Sequence, residues 1–125
     1  VIPLFCGFDR SRAKGRLFSY DVVGGRYDEI NYATTGSGGS EARSFLKGVW
    51  REDMTREEAL GAAVEAIVAA AEEDSATGGL DLKRGILPNV LIVTADGVEE
   101  ISDEDPLLSP KSEADRFFRF PASER

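Results

Sequence analysis

The chain opens on strand-like patterning, turns helical in its middle and returns to strand near its end. Leu4 to Asp9 (LFCGFD) is a short apolar run with Phe5 and Phe8 on either side of Gly7, and it reads as a buried strand. Asp9 to Gly15 is polar and basic and closes on glycine, so it reads as a turn. Arg16 to Val22 (RLFSYDV) alternates loosely and reads as the returning strand. Gly24-Gly25 predicts a tight hairpin turn, because glycine accepts the positive φ that a short hairpin loop demands. Arg26 to Thr35 reads as a further strand that ends in Gly36-Ser37-Gly38-Gly39-Ser40. These segments have the wiring of an antiparallel meander.

Beyond Gly39 the apolar period becomes helical. Ala42, Phe45, Leu46 and Val49 share one side of a helix over Ser40 to Trp50, with Ser40 as its expected N-cap. Glu52-Asp53 breaks that pattern. Thr55-Arg56-Glu57-Glu58 is a capping box, in which the Thr55 hydroxyl accepts from the Glu58 amide and the Glu58 carboxylate reaches back. Met54 and Ala59 occupy the staple positions. The helix then runs to about Glu73, with Leu60, Ala63, Val64, Ile67, Val68 and Ala71 along one side. Most of its other positions are alanine, which lets a neighbouring element approach closely. Glu72, Glu73 and Asp74 crowd its carboxy end, where the helix dipole disfavours negative charge. Gly78-Gly79 stops the helix. Val90 to Thr94 (VLIVT) is a strand, Asp96-Gly97 signals a type I′ turn, and Val98 to Ile101 pairs back. Strands on both sides of a helical block predict a layered α+β fold over residues 1–105. From Ser102 the chain turns acidic and Pro-punctuated, and the tail at 106–125, which mixes charge with Phe117, Phe118 and Phe120, reads either as a short docked helix or as a loose segment.

Composition narrows the function classes. At 125 residues, with 42% hydrophobic and 30% charged positions, the chain is a single soluble domain rather than a disordered segment. A net charge of -8 argues against nucleic-acid binding, which needs a basic face. Arg10 to Arg16 reads as a solvated hairpin loop. The single cysteine, Cys6, forms no internal disulfide and fits a reducing, cytoplasmic location. No apolar run approaches the roughly 18 residues of a membrane span, so no membrane partner is expected. Histidine is absent, which removes the Ser-His-Asp triad, the Cys-His pair and most zinc sites.

A few places remain where chemistry could reside. The glycine turn at 36–39 lacks the Lys-Ser/Thr of a phosphate-binding loop. It reads as an anion nest or as a plain strand-to-helix turn. Asp74 with Thr77-Gly78-Gly79 sets an acid and a hydroxyl on one local face at a helix end, or forms a C-cap with incidental polar groups. Cys6 reads as a small buried hydrophobe, and Phe5, Phe8, Phe18 and Phe45 as core. Glu99, Glu100, Asp103, Glu104 and Asp105 match no calcium-loop spacing and read as a solvated edge. No cofactor is implied.

Together, the hairpin LFCGFD…RLFSYDVVGG, the turn TTGSGGSEA, the helix MTREEALGAAVEAIVAAAEEDSATGG and the run DLKRGILPNVLIVTADGVEEI resemble a β subunit of the actinobacterial-type proteasome core particle. The resemblance spans about Leu4 to Ile101. It implies an amino-terminal-nucleophile hydrolase with a four-layer αββα sandwich, of which this chain is the carboxy-terminal portion. The family's nucleophile is the hydroxyl of an amino-terminal threonine whose free amine acts as general base. A lysine and an orienting acid assist it, and all of these lie in the first half of the subunit. Thr34 and Thr35 are internal and have no free amine. The expectation is therefore a fragment that is inactive alone.

By motif, Ser37 resembles the serine that hydrogen-bonds near the nucleophile's amine. Asp74 resembles the acid that supports the nucleophile and its proton traffic. Thr77 stands where most members carry serine. Asp21 lies near the region that lines a neighbouring subunit's substrate pocket. The implied activity is a threonine-type endopeptidase that cuts unfolded polypeptide. Its implied partners are other β subunits in a heptameric ring, an α-subunit ring and a regulatory ATPase ring. The alternative is a non-catalytic structural or interaction subunit, or a degenerate truncated paralogue. Either reading predicts an uncovered apolar face and sheet edge in the isolated chain.

Overall fold

The computed structural model describes residues 2–73, 87–105 and 108. In chain order the elements are β1 (Leu4–Asp9), β2 (Lys14–Tyr20), β3 (Arg26–Glu29), α1 (Gly39–Val49), α2 (Arg56–Glu73), β4 (Leu91–Thr94) and β5 (Gly97–Glu100). This is the mixed α+β order that the patterning predicts. β1, β2 and β3 form one antiparallel sheet in that order, and β4 pairs with β5 in a second. α1 packs on α2, and β4 lies beside β1 and β2.

The first hairpin is tighter than its pattern suggests. The Asp9 carboxylate accepts from the Ser11 amide at 3.0 Å and from its hydroxyl at 2.6 Å. That local bonding closes the turn early, so pairing runs as far as Asp9 with Lys14 and β2 begins at Lys14 rather than Arg16. The second connection is longer than the predicted glycine turn. Tyr20 pairs with Arg26, which leaves residues 21–25 as a loop organised by Asp21. β3 stops at Glu29 instead of reaching Thr35, and Ile30 is 90% exposed. The chain leaves the sheet here and carries Tyr32 to Trp50, with ring centroids 6.3 Å apart, while the Arg43 guanidinium lies 5.4 Å from the Tyr32 ring.

α1 starts at Gly39 with Gly38 as its N-cap and no side-chain cap. Ser40 lies inside the first turn, where its hydroxyl donates to Glu41 at 3.0 Å, so it is not the N-cap. The capping box of α2 forms in both directions. The Glu58 amide donates to Thr55 Oγ1 at 3.2 Å, and the Thr55 amide donates to Glu58 Oε1 at 3.0 Å. Arg51 pairs with the same carboxylate.

α2 buries two stripes rather than one. Ala66 and Ala70, one turn apart, meet Ala42 of α1 with Phe45 and Leu46 packed around them. Leu60 and Val64 instead join Ile101 and Leu108, with Leu87, Val90 and Ile92 against them. Ala63, predicted to share the apolar side, is exposed because it falls between these stripes.

β4 and β5 are joined by Ala95 and Asp96, with Thr94 paired to Gly97. Ala13 is the only described non-glycine residue at positive φ, so this connection is not type I′. Gly97 takes φ +116° in the strand itself, a conformation that glycine reaches without strain. Ile92 and Glu99 are cross-strand partners. They face α2, where Arg56 reaches Glu99 at 2.6 Å. The opposite face carries Leu91 and Val98, 61% and 66% exposed.

Every buried apolar side chain among the described residues comes from α1, α2 or positions 101 and 108. The aromatic expectation is corrected accordingly. Phe5 is 62% exposed, Phe8, Phe18 and Phe45 are half-buried, and Cys6 is exposed rather than a buried hydrophobe. Phe18 is covered by charge, with the guanidinium groups of Arg16 and Arg26 at 4.8 and 4.9 Å from its ring.

Candidate functional site

The turn between the meander and α1 is buried in its backbone and open at one side chain. Gly38 and Gly39 are buried, whereas Ser37 between Gly36 and Gly38 is exposed. Gly36 sits at φ +91°, a conformation that strains any residue with a Cβ. The Gly39 amide donates to the Gly36 carbonyl at 3.1 Å, and the Ala42 amide donates to the Gly38 carbonyl at 3.1 Å. The turn thus passes into helix without a break in backbone pairing.

Two threonines anchor it from the strand side. Thr34 Oγ1 donates to the Gly39 carbonyl at 2.8 Å, and Thr35 Oγ1 donates to the Ile2 carbonyl at 3.0 Å. The first bond reaches forward to the helix and the second back toward β1. Sequence reasoning passed over this pair, although hydroxyl residues flanking a glycine turn are a known source of side-chain-to-backbone bonds.

Ser37 opens on a cavity of about 210 Å³ lined by Thr35, Gly36, Ser37, Gly38, Ala42, Ile67 and Ala70. The small side chains of Ala42 and Ala70 are what let α2 come this close to the turn. Among the described residues the lining holds no titratable side chain. Its described lining offers a serine hydroxyl, a neighbouring threonine and backbone polar groups, which can orient a bound group.

The other expected site residues fall elsewhere. Asp74 and Thr77 lie outside the described residues. The last buried residue of α2 that lines the cavity is Ala70. Asp21 belongs to the loop between β2 and β3 and does not line the Ser37 cavity. Its Oδ1 accepts from the amides of Val23 at 3.0 Å and Gly25 at 2.7 Å, and its Oδ2 accepts from the Tyr27 hydroxyl at 2.7 Å. The Tyr27 hydroxyl, followed by the Gly25 amide, holds the Asp21 carboxyl below the usual aspartate range. The same bond pushes the Tyr27 phenol up. A Cβ at Gly25 would meet the Asp21 carboxylate at 2.6 Å, so glycine there makes room for it. Among the described residues no group of three or more His, Cys, Asp or Glu could hold a metal ion, and no helix is long and apolar enough to cross a membrane.

Known proteins with similar sequences agree on one family. Residues 1–81 match the proteasome subunit family. The chain is 50% identical over 105 residues to the protein named proteasome subunit beta of Streptomyces griseus subsp. griseus, covering 84% of this chain and 37% of that relative. It is 48% identical over 103 residues to proteasome subunit beta of Acidimicrobium ferrooxidans, covering 82% of this chain and 38% of that relative. The chain therefore spans less than two-fifths of the length of either relative. With a match that covers well over half of its residues, this chain belongs to the proteasome subunit family.

Proposed function

We propose that this chain forms part of a threonine-type endopeptidase subunit of a proteasome core particle and contributes supporting residues to its site. The observation that carries this reading is a serine hydroxyl presented by a glycine turn onto a cavity walled by α2, in a chain of the proteasome family. In this reading Ser37 hydrogen-bonds near the amine of an amino-terminal threonine. Asp74 and Thr77 support the same proton traffic. The free amine serves as base, which suits a chain without histidine. Neither Thr34 nor Thr35 can act as this nucleophile, because each has its nitrogen in a peptide bond. Asp21 lies at a neighbouring subunit's substrate pocket. The substrate is unfolded polypeptide. The partners are like subunits in a heptameric ring, an α-subunit ring and an ATPase ring, and the setting is cytoplasmic.

The test is made on core particles whose β subunits carry this sequence. Ser37→Ala is expected to lower turnover of a fluorogenic peptide roughly 10- to 100-fold, the worth of one hydrogen bond to a charged group. Unchanged turnover in correctly assembled particles removes Ser37 from the site. The 125-residue chain by itself is expected to hydrolyse nothing. Turnover by that chain, blocked by a threonine-directed inhibitor, overturns the proposal that it lacks the attacking group.

A further inference from the structure

We propose that Thr34 is a positioning residue for Ser37: its side chain locks the glycine turn in the form that presents the serine hydroxyl to the cavity. The inference rests on the proposed function for its catalytic consequence and on geometry alone for its structural one. Thr34 Oγ1 donates to the Gly39 carbonyl at 2.8 Å, bridging the residue before the turn to the first residue of α1. Inside that bridge the Gly39 amide bonds the Gly36 carbonyl at 3.1 Å. Residues 35–38 are therefore closed by a side-chain bond outside and a backbone bond inside. Thr34 is half-buried, and its hydroxyl would lie 3.6 Å from a Cβ placed at Gly39, so it is in contact with the helix start as well as bonded to it.

The need for such a lock follows from what the turn lacks. Three of the residues at 36–39 are glycine, which pays the largest backbone entropy on ordering. The N-cap, Gly38, has no side chain and no side-chain cap bond forms at this helix start. Ser37 itself is exposed, so packing does not fix it. Thr34 ties the turn to the helix start from outside; unlike a capping serine or aspartate, which accepts from a first-turn amide, it donates to the carbonyl of Gly39. A small misplacement of a supporting hydroxyl is costly to a reaction that depends on orientation.

Thr34→Val keeps the shape and removes the donor, and Thr34→Ser keeps the donor and removes the methyl. Amide exchange followed by mass spectrometry on assembled particles whose β subunits carry this sequence reads the structural part without turnover. Thr34→Val is expected to speed exchange across 36–40 by a factor of roughly 3 to 10, with α2 unaffected and Thr34→Ser close to the parent. Unchanged exchange in Thr34→Val overturns the lock. In assembled particles, Thr34→Val is expected to lower kcat for a fluorogenic peptide about tenfold while KM stays within twofold, with kcat restored by Thr34→Ser. If Ser37→Ala lowers turnover and Thr34→Val does not, the positioning role fails and the proposed function stands. If Ser37→Ala changes nothing, it is the function that fails, and the exchange result still decides Thr34.

Discussion

Asp21 shows how much one side chain can organise. Its two oxygens take two amides and a phenol, and the five-residue loop between Tyr20 and Arg26 is built around them. The motif was visible in the sequence only as Gly24-Gly25, which suggests a shorter turn. Nothing in the local pattern says that Tyr27, a strand residue, would lend its hydroxyl to the loop. A consequence is testable by pH. Because the bonded carboxylate titrates below its ordinary range, the bonds contribute fully above about pH 4 and are lost as pH falls through the lowered value. Tyr27 has the opposite sign: its phenol titrates higher when folded, so its contribution persists up to about pH 10 and disappears as pH rises past the raised value. The amide proton shifts of Val23 and Gly25 are therefore expected to move together in acid, below the range of a free aspartate, and to lose that transition in Asp21→Asn. If they titrate at the ordinary aspartate value, the loop is not held by this carboxylate.

At the scale of elements, the strongest local signals were the most legible. The capping box names the start of α2 from Thr55 and Glu58 alone, and both of its bonds form. β1 and the strand after Val90 follow in extent from short apolar runs, but β1 is not the buried strand its run suggests, since none of its residues is buried. What the patterning missed depends on partners distant in sequence. β3 ends early because Tyr32 goes to Trp50, and the apolar side of α2 splits because α1 takes one stripe and β4 with its surroundings takes the other. The glycine turn of the candidate site was legible as a motif, Gly-Ser-Gly before a helix, while its anchoring by Thr34 was not, since that bond crosses the turn. For the capping box the expected cost is specific. Thr55→Ala should destabilise the chain by about 1 kcal/mol. Because Thr55 and Glu58 bond reciprocally, the double variant Thr55→Ala with Glu58→Ala should cost less than the two single changes summed. Additive losses in urea unfolding would mean that the two bonds do not act as a unit.

The whole molecule is lopsided. Its buried apolar side chains lie in and around the helices, while its sheets keep large apolar groups in water: Phe5 at 62%, Leu91 at 61% and Val98 at 66% exposed. The register explains the last two. Ile92 and Glu99 point to α2, so strand alternation sends Leu91 and Val98 to the far side of the same hairpin. An antiparallel sheet tolerates one wet face when that face is polar, and this one is not. In the layered fold of the family such a face belongs against another layer. The isolated chain is therefore expected to self-associate, or to fold cooperatively only with partner chains, despite its net charge of -8. Replacing Val98 by lysine should shift sedimentation toward monomer without disturbing α2, because Val98 neither joins the cluster around Leu60 and Val64 nor lines the groove that Leu91 shares with Ala59 and Ala63. Should the unmodified chain sediment as a monodisperse monomer and melt in one cooperative step, the exposed face needs no cover and the layered reading loses its physical support.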